Sequence, residues 1–144
     1  MAGSKSNYLE SAHLNYWLGK SFTAAAPSTV FVALYNTAIN DAADATSNNE
    51  VTKSGTNYAR KAVANSSANW TNSSGGGSKT NKTTITFTTS VTGTWGTVVA
   101  FAILDTSSTA TGNILYWGDL AANQTISVGN TVRFSTGAIV LTED

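Results

Sequence analysis

Residues 95–105 read Trp95-Gly96-Thr97-Val98-Val99-Ala100-Phe101-Ala102-Ile103-Leu104-Asp105, and residues 112–118 read Gly112-Asn113-Ile114-Leu115-Tyr116-Trp117-Gly118. In the first run Val99, Phe101 and Ile103 share one parity, while Val98, Ala100, Ala102 and Leu104 share the other. A strand sends alternate residues to opposite faces, so one face is bulky and the other small but still apolar. That pattern predicts a central strand covered on both sides. Between the runs, Asp105-Thr106-Ser107-Ser108-Thr109-Ala110-Thr111-Gly112 consists of turn formers, so the second run returns antiparallel.

Working outward, residues 29–36 are β-branched and aromatic and predict another buried strand. A weaker strand over residues 58–63 carries Arg60 and Lys61 and belongs near an edge. Residues 83–89 alternate Ile85 and Phe87 with threonines. Residues 124–128 and 130–134 predict a hairpin about Gly129-Asn130, and residues 138–141 a last short strand. Residues 37–55 read as a long loop, and residues 65–82, rich in Ser, Asn and Gly, as a flexible hairpin tip or projecting loop. Ahead of all these lies one helix, expected over residues 7–19. Ser6 or Asn7 caps it, Glu10 suits its first turn, and Gly19 and Lys20 suit its end. Residues 1–6 read as a flexible tail. Leu14, Trp17 and Leu18 form an apolar stripe, a core anchor in one reading and a partner-facing anchor in the other. The whole, residues 1–144, predicts one mainly β domain: an antiparallel β-sandwich, jelly-roll-like in outline, with one N-terminal α-helix.

Composition restricts function. Only 11% of residues are charged, eight basic against eight acidic, which gives no basic patch for nucleic acid. There is no cysteine for disulfide, thiolate or metal chemistry. No window reaches the roughly 20 apolar residues of a membrane helix, and residues 1–6 lack the apolar core of a secretory signal. The expected setting is synthesis in a cytoplasm, with no visible export route and no membrane partner. A near-neutral surface of Ser, Thr and Asn suits a subunit destined for assembly.

Chemistry-bearing motifs fail one by one. His13 is the sole histidine, and no Gly-x-Ser-x-Gly accompanies it. Residues 75–80 imitate a phosphate loop, but Ser78 precedes the lysine and a strand follows rather than a helix. Asp41, Asp44 and Glu50 share one loop without the EF-hand alternation. Asn65, Asn69, Asn72, Asn81 and Asn123 match the glycosylation tripeptide, as chance produces in so Asn/Ser/Thr-rich a chain. No enzyme, cofactor or metal is expected. Trp70, alone in a polar loop, is the aromatic best placed for a partner. The candidate partner contacts are Trp17, Tyr58, Arg60 and Trp70.

Several segments together resemble a family of small phage virion structural proteins, capsid decoration (cement) or tail-fibre-like. They are Trp17-Leu18-Gly19, residues 31–35, Glu50-Val51 leading through Gly55 to Tyr58-Ala59-Arg60, residues 95–98, residues 101–105, residues 112–118 and residues 128–134. The resemblance implies no catalytic residues. It implies a virion protein that decorates and stabilises an icosahedral capsid, a homotrimer partnered by the major capsid protein. The alternative is a tail or head fibre component that binds host surface glycan through Trp70 and its polar neighbours.

Overall fold

The computed structural model describes residues 2–19, 26–46, 49–73 and 77–143. In chain order the elements are β1 (Ala2–Lys5), α1 (Asn7–Trp17), β2 (Thr29–Tyr35), β3 (Lys61–Ala64), β4 (Ser78–Thr80), β5 (Ile85–Thr88), β6 (Gly96–Leu104), β7 (Ile114–Ile126), β8 (Val132–Phe134) and β9 (Val140–Thr142). Seven strands form one sheet in the order β3-β2-β6-β7-β1-β9-β4, and β5 and β8 form a second. Pairing is antiparallel throughout, apart from the parallel β1–β9 contact.

The β6–β7 hairpin is the centre of the large sheet, with β2 on its other side. Val30, Val32 and Leu34 of β2 and Phe101 and Ile103 of β6 point into the larger core, where Ile85, Phe87, Val132 and Phe134 of the small sheet meet them. The result is a two-layered, unequal sandwich. The opposite face carries Ala33, Tyr35, Ala100, Ala102 and Leu104, and Ile39, Ala43 and Ala45 of the 37–46 segment cover it. Residues 37–46 of the long loop expected over residues 37–55 are therefore the lid of the second sheet face. Without them, the small-residue side of β6 would lie open to water.

Two irregularities modify the predicted alternation. The β6–β7 register shifts between Val98 and Ala100: Val98 faces Gln124 while Ala100 faces Asp119. The bulge moves Val98 into the larger core beside Phe101 and turns Val99 to the other face, the reverse of the parity read from sequence. A second shift, between Ile103 and Leu104, lets Leu115 and Tyr116 both pack on the larger core.

Three expectations are corrected. Residues 2–5 are a strand rather than a flexible tail: Ser4 and Lys5 pair with Trp117 and Tyr116, and Ala2 and Gly3 with Val140 and Leu141. The pairing runs through backbone groups that β7 and β9 would otherwise leave open, so it needs no apolar side chain. The hairpin expected about Gly129-Asn130 keeps its turn, with Asn130 N–H donating to Ser127 O at 3.1 Å. Its flanking segments part, however: β7 runs on from Ile114 to Ile126, and β8 pairs with β5. Finally, residues 65–73 and 77–82 are pinned to the body by the Trp70–Asn81 bridge and by β4 on β9, so the described part of that loop does not project.

The helix starts at Ser6, whose hydroxyl oxygen accepts from Leu9 N–H at 3.3 Å and whose O–H donates to Ile114 O. One residue thus caps the helix and fastens it to β7. It ends two residues before the expected Gly19: Leu18 N–H returns to Leu14 O at 3.0 Å, and Gly19 takes φ +92°. Lys20, expected at the favourable end, lies outside the described residues.

Candidate functional site: a buried ion pair and an exposed helix face

Of the four candidate partner contacts, three are interior. Tyr58 is 2% exposed, Arg60 6% and Trp70 5%. The first two belong to one polar cluster. Arg60 Nε donates to Glu50 Oε1 at 2.9 Å and Nη2 to Oε2 at 2.8 Å, a bidentate pair. Nη1 reaches Thr106 O at 2.9 Å and Thr111 O at 3.0 Å. Tyr58 O–H donates to Glu50 Oε1 at 2.9 Å and accepts from Leu34 N–H at 3.0 Å. Burial raises the phenol pKa values of both Tyr58 and Tyr35, and the Glu50 carboxylate adds to each. For Arg60, burial favours the neutral form, but the hydrogen bonds and charge of Glu50 outweigh it and raise the guanidinium. Every charged atom here is occupied, so the cluster clamps residues 50–60 and 105–111 to β2. It leaves neither carboxylate nor cation for a ligand.

Trp70 was expected on the surface because its sequence neighbours are polar. Its ring instead joins the larger core with Trp95, Ile139 and Leu141. The reason is Asn81, itself buried: Nδ2 donates to Thr83 O and Ser135 O, each at 2.8 Å, and Oδ1 accepts from Ile139 N–H at 2.9 Å. That amide satisfies three backbone groups and holds its bridge partner Trp70 inward. Asp41, Asp44 and Glu50 do not converge, and no three His, Asp or Glu side chains are grouped to hold a metal among the described residues. Lys79 lies on a strand, not at a helix start.

Trp17 behaves differently: it is 78% exposed, with Leu18 at 80% and Leu14 at 62%. The helix buries only Leu9, so the stripe read from sequence faces outward. Its other side borders a cleft of about 580 Å³. Leu9 and Tyr16 form one wall of that cleft, with Val30, Ile103, Leu115 and Leu141 contributed by the sheet. At its mouth Glu143 accepts from Tyr116 O–H at 2.7 Å and stands 3.9 Å from Lys5 Nζ and 4.0 Å from His13 Nδ1. The Trp17 ring stands edge-on to Tyr16, 5.3 Å between centroids, and Tyr16 lines the cleft, so the surface offers one apolar projection and one apolar recess that adjoin along the helix.

The family model described as Podophage GP4 fiber I protein gp80 matches residues 4–142. The chain belongs to that family, a family of phage virion structural, fibre-like proteins. No curated protein matches it.

Proposed function

We propose that this chain is a structural component of a phage fibre, acting by non-covalent docking onto neighbouring virion subunits with no bond made or broken. The observation that carries this reading is the family match from residue 4 to residue 142, whose own description is a fibre protein. That description favours a fibre over the capsid-cement role the sequence resemblance put first. The buried state of Trp70 removes the ring-stacking platform on which the glycan version rested. Among the described residues, the most exposed large apolar side chains are Trp17 and Leu18 at the end of α1, and they are the surface offered for recognition.

Immunogold labelling of intact particles with antibody to the purified chain tests the reading. Gold confined to projections is the expected result. Uniform labelling of the shell would return the protein to capsid decoration, and unlabelled particles would remove it from the virion.

A further inference from the structure

The projection on α1 and the recess beside it are matched in chemistry. The recess is walled by Leu9, Val30, Ile103, Leu115 and Leu141, and its volume of about 580 Å³ lies within the roughly 300–1,000 Å³ of pockets that enclose whole organic groups. An indole and an isobutyl group fit such a space together. We propose that Trp17 and Leu18 of one subunit seat in this cleft of a second copy of the same chain.

Three observations select a second copy as the occupant. Leu14, Trp17 and Leu18 together offer on the order of 450 Å² of coverable surface, since aromatic side chains alone bury about 150–250 Å² each. With the polar rim around them, that approaches the roughly 800 Å² per partner of a standard interface. The charge balance of eight basic and eight acidic residues means that copies meet without net repulsion. Geometry then limits the kind of contact. Tyr8, Leu9, His13 and Tyr16 line the cleft, and Trp17 stands about 100° further round the helix than Tyr16 at 3.6 residues per turn, with its ring edge-on to that of Tyr16 at 5.3 Å. Projection and recess therefore adjoin without coinciding, and each fits its counterpart on a neighbouring copy. Such a contact closes as a two-fold pair when both are exchanged at once, and otherwise closes into rings or runs on as filaments. Closure at three gives the homotrimer expected from the resemblance, and repetition along a fibre adds strength without new contacts. Only the biological role of this contact rests on the fibre reading. The contact itself is a property of the purified chain.

Sedimentation velocity of the full chain over a wide concentration range tests it. The wild type should pass from monomer to larger species as concentration rises. Trp17→Asp removes the projection and should weaken association by about thirtyfold or more, as for a buried tryptophan anchor. Leu18→Asp serves as a second projection variant if circular dichroism shows the first unfolded. Ser73→Trp fills the cleft mouth, where Ser73 is one of the lining residues, and should also be monomeric alone. Mixed, Trp17→Asp and Ser73→Trp should form a one-to-one dimer and nothing larger, because one keeps only the recess and the other only the projection. A wild type monomeric at every concentration would overturn the proposal. So would Ser73→Trp associating like the wild type, the mark of helix-to-helix pairing. Either result leaves the particle-labelling test of the fibre reading untouched.

Discussion

Replacing Arg60 by alanine should cost this protein a large part of its stability, although the residue lies outside the larger hydrophobic core. The Arg60 side chain is fully covered and that of Glu50 is 6% exposed, so removing the guanidinium leaves a carboxylate with little water and no counter-charge. It also strips the donor from Thr106 O and Thr111 O. Breaking one partner of a buried pair costs about 3–5 kcal/mol. A loss of about 4 kcal/mol is a substantial share of the roughly 5–15 kcal/mol that holds a domain folded. In urea, with a slope near ~2 kcal/mol/M, the midpoint should fall by about 2 M with the slope unchanged. Arg60→Lys keeps the charge but loses the fork, and should fall between alanine and wild type. Pairing Arg60→Met with Glu50→Leu removes both charges and should recover at least half of the loss. Tryptophan fluorescence follows unfolding, since Trp70 and Trp95 are both in the larger core. A loss below about 1 kcal/mol, the worth of an exposed pair, would refute the reasoning. A double variant no better than the single one would do the same.

Asn81→Ala should cost about 3 kcal/mol or more, because it orphans Thr83 O, Ser135 O and Ile139 N–H together. A thermal midpoint within a degree or two of wild type would show that water replaces the amide. Alkaline pH should destabilise the fold through Tyr35, Tyr58 and Tyr116, whose phenols hold their protons above the ordinary tyrosine range in the folded state. The unfolded chain releases those protons near pH 10, so their contribution is intact below that pH. Above it, stability falls by about 4 kcal/mol per pH unit for the three together. Urea midpoints that stay level up to pH 11.5 would contradict this. Tyr35→Phe should remove about a third of the alkaline slope. It should also raise stability at neutral pH by about 1 kcal/mol, since the buried Tyr35 hydroxyl has no hydrogen-bond partner among the described residues.

The parts of the fold legible in the sequence are those whose side chains alone decide the outcome. β2 and β6 are buried on both faces over most of their length, the first half of β7 is buried or half-buried, and all three read as strands from their apolar runs. β1 left no such mark, because its place between β7 and β9 is held by backbone groups that every residue carries. The shift between Val98 and Ala100 was equally silent. A bulge exchanges the two faces without altering composition, so Val98 lies with Phe101 although their parities differ. The turn about Gly129 was readable from local chemistry, but the choice of β5 as the partner of β8 is made by the core that Phe87 and Phe134 share, their rings 6.2 Å apart.

The candidate contacts divide along the same line. Polar neighbours predicted an exposed Trp70, but a polar segment can lie over a core when one buried amide satisfies its backbone, and Asn81 stands eleven residues further along the chain. Arg60 and Glu50 carried one usable signal. In a chain with only 11% charged residues, a cation two residues from Tyr58 shares its face of an extended segment, which makes Arg60 the candidate for a buried partner and leaves Lys61 on the outer face. For the helix, periodicity found a stripe and could say only that something covers it. Leu9 is the one helix residue that its own chain buries, and Leu14, Trp17 and Leu18 stay outside. Apolar spacing records that a face is to be removed from water, and it is indifferent to whether the cover comes from the same molecule or the next. A last turn this exposed, beside a recess of the same chemistry, is the arrangement expected when the next molecule supplies the cover.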